Sequence, residues 1–319
     1  MAFLLQERYV NLLTDFGFKR VFGSEPHKQL LLDFLNTILP PHHHIQDLSY
    51  KTTENLGNTP LDRKAIFDIY CQSVNGDRII VEIQKAKQNF FKDRSVFYAS
   101  FPIQEQARKG IWNYKLAPVY SVGILDFIFD DHKEEETYLH TVELKDQDCH
   151  VFYDKLKFIY VELPKFTKTL DQLVSHQDKW LFLLRHLPDL EDRPQPFQDP
   201  IFLQLFDIAE LANFSAAEQD NYQNSLKYYR DLNNVMDTAK EEARAEGRAE
   251  GRAEGRAEGR AEGRAEGRAE GRAEGRAEGA KATAIAIARS LLDILPIETI
   301  SDRTGLTIEE IQRLIDAGD

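Results

Sequence analysis

The stretch FDIYCQSVNGDRIIVEIQKAK, residues 67–87, decides how this chain is read. Two apolar runs meet at Asn75-Gly76, the pattern of a β-hairpin. Each arm carries an acid, Asp68 and Glu82, where a sheet favours apolar or β-branched residues. Strand side chains alternate faces, so Glu82 and Gln84 share one face. Two registers compete for Asp68. A two-residue loop at Asn75-Gly76 pairs Val74 with Asp77 and puts the carboxylates on opposite faces. A three-residue loop with Gly76 left-handed pairs Ser73 with Asp77 and sets Asp68 across from Glu82. Opposed Cβ atoms lie roughly 4.5–5.5 Å apart, close enough for both carboxylates to ligate one divalent cation and, without it, to repel. The hairpin alone is equally compatible with a solvated sheet face carrying two incidental acids.

The rest of the chain bounds what such a site can serve. Its 319 residues, 42% hydrophobic, supply one globular domain plus appendages. Two cysteines, Cys71 and Cys149, make no disulfide framework and no metal-ligand spacing. With no charged-then-apolar leader, they predict a reducing, cytoplasmic location. No apolar run approaches the roughly 18 residues of a membrane span. The net charge of −13 argues against nonspecific coating of nucleic acid. Residues 61–120 nevertheless hold ten Lys/Arg (Arg63, Lys64, Arg78, Lys85, Lys87, Lys92, Arg94, Arg108, Lys109, Lys115) against six acids, a local balance of +4 around the carboxylates. Such a patch suits a phosphate backbone, and equally a set of solvated faces.

Around the hairpin the pattern is mixed α/β. LLTDFGFKRVFG is a short amphipathic segment, and a turn at Gly23–Pro26 leads to a helix burying Leu30, Leu31, Phe34, Leu35 and Ile38. His42, His43 and His44 follow in a solvated loop, where three neighbours cannot readily converge on one ion. Strands are expected at about 46–52, 65–73, 78–85, 118–129 and 156–163, with a helix at about 90–110 that Pro102 can kink. Residues 169–214 read as helical packing and a cap.

From Ser215 onward helix formers dominate, and residues 244–279 are nine copies of Arg-Ala-Glu-Gly. Four residues turn about 400° around a helix, so every stripe drifts by about 40° per copy and no face stays apolar. Arg and Glu fall two or six apart, outside the pairing distance, and each Gly costs ~0.8–1.0 kcal/mol relative to Ala. The repeat is expected to be a fluctuating linker, up to about 54 Å if fully helical, in preference to a small-residue helix that assembles with copies of itself. Residues 280–319 regain periodicity, with a turn at Asp302–Gly305 and a capping box from Thr307 to Glu310. The pattern resembles a helix-turn-helix, but Glu309, Glu310 and Asp316 make its last helix acidic, which favours a packing or oligomerisation module.

Taken together, TDFGFKRVFG, the isolated Asp68 in FDIYC, Glu82-Ile83-Gln84 in VEIQ, and Arg94 with Tyr98 on the next helix resemble the PD-(D/E)XK nuclease family of transposase-associated proteins, the recombination-promoting nucleases. The likeness covers roughly residues 10–165. It implies a restriction-endonuclease-like mixed sheet flanked by helices (1–165), followed by a helical cap (166–240), the repeat (244–279) and the C-terminal module (280–319). It further implies metal-dependent cleavage of DNA, with Asp68 and Glu82 holding one or two Mg²⁺ ions or another divalent cation. Gln84 stands where the wider superfamily has lysine, as is characteristic of this subfamily; it cannot supply charge but can orient a water or ligand through its amide. Lys85 falls on the other strand face, leaving Lys19, Lys87 and Arg94 as DNA-contact candidates, while Tyr98, Phe16, Phe18 and Phe22 are expected to pack. The rival readings are a non-catalytic DNA-binding or assembly protein that retains the nuclease fold, and an oligomeric rod built from the tail.

Overall fold

A computed structural model describes residues 7–55, 65–107 and 110–316; Asp62, Arg63, Lys64, Arg108 and Lys109 of the basic segment lie outside them. The chain forms two units, Met1–Asp237 and Thr238–Asp319.

In the first unit Thr14 caps α1 (Asp15–Phe22), its side chain accepting from Gly17 N at 3.0 Å. Gly17 is required here, because a Cβ would stand 2.1 Å from the carbonyl oxygen of Asn11 and 2.9 Å from the capping Thr14 Oγ1. Gly17→Ala is therefore expected to cost ~2–4 kcal/mol, through overpacking and a weakened cap. Urea unfolding checks this, and a loss below about 1 kcal/mol would show that the loop yields freely. Helix α2 (Lys28–Ile38) follows, burying Leu30, Leu31, Phe34, Leu35 and Ile38 as its periodicity predicts. His42 and His43 sit in a one-turn 3-10 segment, Pro41–His43, with His44 just after it; His42 and His44 are exposed as a solvated loop requires, but His43 is half-buried against Tyr120.

Next come β1 (Leu48–Tyr50), the short pair β2 (Glu54–Asn55) and β3 (Ala65–Ile66), the hairpin β4 (Ile69–Ser73) and β5 (Arg78–Gln84), and α3 (Phe91–Glu105), which runs through Pro102. Beyond it lie β6 (Val119–Leu125), β7 (Leu139–Lys145), β8 (Val151–Glu162), α4 (His176–His186) and α5 (Pro200–Ala209). Six strands form one mixed sheet in the order β1-β4-β5-β6-β8-β7, with β5, β6 and β8 parallel and the outer pairings antiparallel. The central strand β6 is buried along its whole length, as a parallel strand covered on both faces must be. On one face Ile79, Val81, Val122 and Ile159 pack with α1, α2, α4 and α5 around Phe22, Phe34 and Trp180. On the other, Ile80, Tyr70, Leu125 and Tyr160 lie under α3. This is the restriction-endonuclease-like mixed sheet flanked by helices that the sequence leads one to expect.

The sequence carries no strand signal at β7. That strand is half exposed and carries His140, Thr141, Glu143 and Lys145, so hydrophobic alternation is weak; its ladder to β8 forms it, with register shifts on either side of Leu144. β8 likewise starts at Val151 rather than near 156, because its first half is exposed.

Helix α6 (Ala216–Leu291) begins in the first unit, where Tyr222 and Leu226 are buried. In the second unit the repeat is helical and exposed throughout. This departs from the fluctuating linker expected from sequence. Helix-forming flanks on both sides spare the repeat its nucleation cost, and Arg, Ala and Glu all propagate a helix well. α7 (Ile297–Thr304) and α8 (Ile308–Asp316) then fold back on the end of α6, burying Ala288, Ile300, Leu306 and Ile311. α7 continues to Thr304, so the turn is narrower than Asp302–Gly305, and Glu310 N donates to Thr307 Oγ1 at 3.2 Å in the expected capping box. No helix among the described residues is long and apolar enough to cross a membrane.

Candidate functional site

The hairpin takes the three-residue loop. Gly76 has φ 92°, Gly76 N donates to Ser73 O at 3.0 Å and Ser73 N to Asp77 O at 3.0 Å, and the ladder runs from Gln72↔Arg78 to Ile69↔Val81. Continued by one step it sets Asp68 against Glu82, at a non-hydrogen-bonded position where side chains come closest. The ladder stops there because Asp68 intervenes. Ile83 N, next in line to donate to β4, donates instead to Asp68 Oδ2 at 2.7 Å, while Asp68 N donates to Glu82 Oε1 at 3.3 Å. The Glu82 carboxylate is thus tied to the backbone of Asp68, and the Asp68 carboxylate to the backbone of Ile83, the residue after Glu82.

Alternation along β5 puts Glu82 and Gln84 on the face covered by α3. Gln84 is buried; its Nε2 donates to Ala86 O at 2.9 Å, and its Oε1 accepts from Arg94. Arg94 also donates to Gln88 Oε1, and its guanidinium lies over the rings of Phe91 and Tyr98 at 5.3 and 5.6 Å. Gln84 therefore sets the position of a charge it cannot itself carry. Tyr98 packs on Phe67, ring centroids 5.5 Å apart, as expected.

From the opposite face α1 brings Lys19, bridged to Asp15 at 2.8 Å. A cavity of about 300 Å³ at the end of β5 is lined by Asp15, Asp68, Gln84, Lys85 and Tyr228 among others. Lys85 does leave the strand on the face away from Glu82, yet it reaches this cavity because Asp68 sits at the end of its strand. Burial pushes the Lys85 ammonium pKa down against the pull of Asp15, Asp68 and Asp126, and its Nζ lies 5.6 Å from the rings of both Tyr228 and Tyr229. Lys87, by contrast, is exposed and paired with Asp130. Asp15 had a legible signal in its i,i+4 spacing to Lys19. The α6 tyrosines had none, since their approach is set by long-range packing.

The electrostatics of the pair are those of two acids short of positive charge. Burial raises the pKa of Asp68, with Asp15 adding to it and Ile83 N–H, Lys19 and Lys85 opposing. Burial and then the charge of Asp68 raise that of Glu82, against Asp68 N–H, Arg94 and Lys19. One backbone donor occupies one oxygen of each, leaving Asp68 Oδ1 and Glu82 Oε2 without a hydrogen-bond donor among the described residues. Two adjacent half-buried carboxylates with an open oxygen each are a fitting donor set for a hard divalent cation. The described groups of three or more potential ligands lie elsewhere, at His132, Glu135 and His140 and at Asp146, Asp148 and His150.

The family model for PD-(D/E)XK nuclease family transposase matches residues 12–239, which takes in both sheet faces, α3 and the start of α6. None of the curated proteins and none of the solved structures matches the chain.

Proposed function

The chain belongs to the PD-(D/E)XK nuclease family transposases, and from that premise we propose that it is a metal-dependent DNA endonuclease, hydrolysing phosphodiester bonds at Asp68 and Glu82 and so promoting recombination. The observation that carries this reading is the hairpin register, which opposes the two acids, Asp68 lining the cavity at the end of β5 and Glu82 meeting it through the Asp68 N–H.

Asp68 and Glu82 would hold a Mg²⁺ or similar cation, which would supply Lewis acidity to activate a water and to offset charge on the scissile phosphate. The chain's own residues do the rest. Asp68, held by the Ile83 N–H, and Glu82, held by the Asp68 N–H, keep their open oxygens in one place. Arg94, braced by Gln84 and Gln88, offers its guanidinium to the phosphate as charge develops. Gln84 acts as the positioning residue for Arg94. Lys19 and Lys85 supply positive charge from the α1 side, and Lys87, partly spent on Asp130, makes an outer contact with the DNA backbone. The sheet and α3 (1–165) carry the activity under the helical cap of 166–240, while the repeat acts as a spacer and the module at 280–319 serves self-association.

The test is cleavage of supercoiled and linear DNA by wild type, Asp68→Ala and Glu82→Ala with Mg²⁺, Mn²⁺, Ca²⁺ or excess chelator. Metal-dependent nicking that falls at least 10²-fold in both variants is expected. If wild type binds DNA and never cuts it, the non-catalytic binding reading replaces this one.

A further inference from the structure

Glu162 ends β8 two strands across the sheet from Gln84, since Gln84 pairs with Leu125 and Leu125 with Glu162. Its carboxylate is fully buried and accepts from four donors: Phe129 N at 2.8 Å, Lys165 Nζ at 2.7 Å, His132 Nδ1 at 3.2 Å and His140 Nε2 at 3.2 Å. Each ring turns one nitrogen to this carboxylate, His132 Nδ1 and His140 Nε2, which leaves His132 Nε2 and His140 Nδ1 as the second nitrogen of each ring.

The two rings stack, with centroids 4.2 Å apart and planes 29° apart. The turn after His132 returns Glu135 to them, Glu135 N donating to His132 O at 3.1 Å. One ligand atom from each of His132, Glu135 and His140 lies within 4.8 Å of the others. Two imidazoles and a carboxylate, with a further buried carboxylate holding both rings, are the donor set and the supporting shell of a zinc-type centre.

We propose that His132, His140 and Glu135 bind a transition-metal ion of the Zn²⁺ class, oriented by Glu162 and distinct from the Asp68–Glu82 pair. Bonds of ~2.0–2.2 Å need the three ligand atoms to close in, which the exposed Glu135 side chain allows. Nitrogen donors select against Mg²⁺, which takes oxygen. The ion would pin the turn that carries Asp130 and Asp131, the partners of Lys87 and Lys92, and so brace the segment leading into α3.

The test uses the untagged full chain with Asp68→Ala and Glu82→Ala in place, so that the carboxylate pair cannot contribute. Co²⁺ is titrated and its visible absorption read, with Zn²⁺ and Mg²⁺ as competitors. One Co²⁺ per chain is expected, displaced by Zn²⁺ and not by Mg²⁺. Its affinity should fall at least tenfold in Glu135→Gln, whose exposed side chain the fold does not need, and further in His140→Ala, with circular dichroism unchanged in the former. Absence of a bound-Co²⁺ spectrum overturns the proposal. So does a spectrum that persists in both variants, or one that is lost instead with His150→Ala.

Discussion

Glu82→Gln is expected to stabilise the metal-free protein while lowering DNA cleavage at least 10²-fold. Glu82 has a pKa raised above its ordinary 4.5 in the folded state, first by burial and then by Asp68. A group with a raised folded pKa holds its proton longer when folded than when unfolded. Below about pH 4 both states are protonated and the substitution changes little. As pH rises from there the unfolded chain loses this proton first, so wild-type stability declines until Glu82 ionises in the folded state as well. Gln removes that penalty. Its advantage should grow through the same window and reach on the order of 1–3 kcal/mol at pH 8 in excess chelator, each pKa unit being worth ~1.4 kcal/mol. Mg²⁺ should reverse the ranking, raising the Tm of wild type more than that of the variant, because a bound cation offsets the repulsion only where both carboxylates remain. Thermal unfolding at pH 5 and pH 8, with chelator and with Mg²⁺, makes the comparison. A variant less stable than wild type at both pH values in chelator would sink the repulsion argument, and one that still cuts DNA would remove Glu82 from the site.

The second large effect concerns the repeat. Replacing its nine glycines with alanine should favour the helix by roughly 7–9 kcal/mol in total, at ~0.8–1.0 kcal/mol per residue. Nothing obstructs the change, since a Cβ at any repeat glycine from Gly247 to Gly279 meets no atom within 4 Å. A peptide of residues 244–279 should be mostly non-helical at low concentration, lacking both its helical flanks and any i,i+4 ion pair, and the all-alanine version mostly helical. Far-UV circular dichroism over a range of concentrations distinguishes the outcomes. Strong helicity of the natural peptide that rises with concentration would show assembly through the small-residue stripes, and strong helicity independent of concentration would contradict the propensity argument.

The hairpin was legible to the level of two registers. Asn75-Gly76 and the apolar alternation placed a turn, but a two-residue and a three-residue loop differ only in where the ladder closes. That choice was made by the packing of both sheet faces: Ile79 and Val81 face one side while Ile80 faces the other, and one residue of slip would have turned Glu82 into the α1-side core. The helices α1 and α2 could be placed from periodicity, and α8 from periodicity and its capping box, because these signals are local. β7 could not, because an edge strand with polar side chains owes its existence to its neighbour.

By itself, then, the amino-acid sequence determined the elements whose causes lie within a few residues: the capped helices, the glycine turn, the uncompensated charges of the repeat and the two acids 14 positions apart. Tertiary structure alone decided what meets those acids. Arg94 reaches Gln84 because α3 crosses the β5 face, Lys19 and Lys85 approach Asp68 from opposite ends of the chain's first hundred residues, and Glu162 gathers His132 and His140 because β8 lies beside β7. Such encounters depend on burial of apolar faces over the whole domain, a nonlocal driving force with no short-range pattern to betray which polar groups it will bring together.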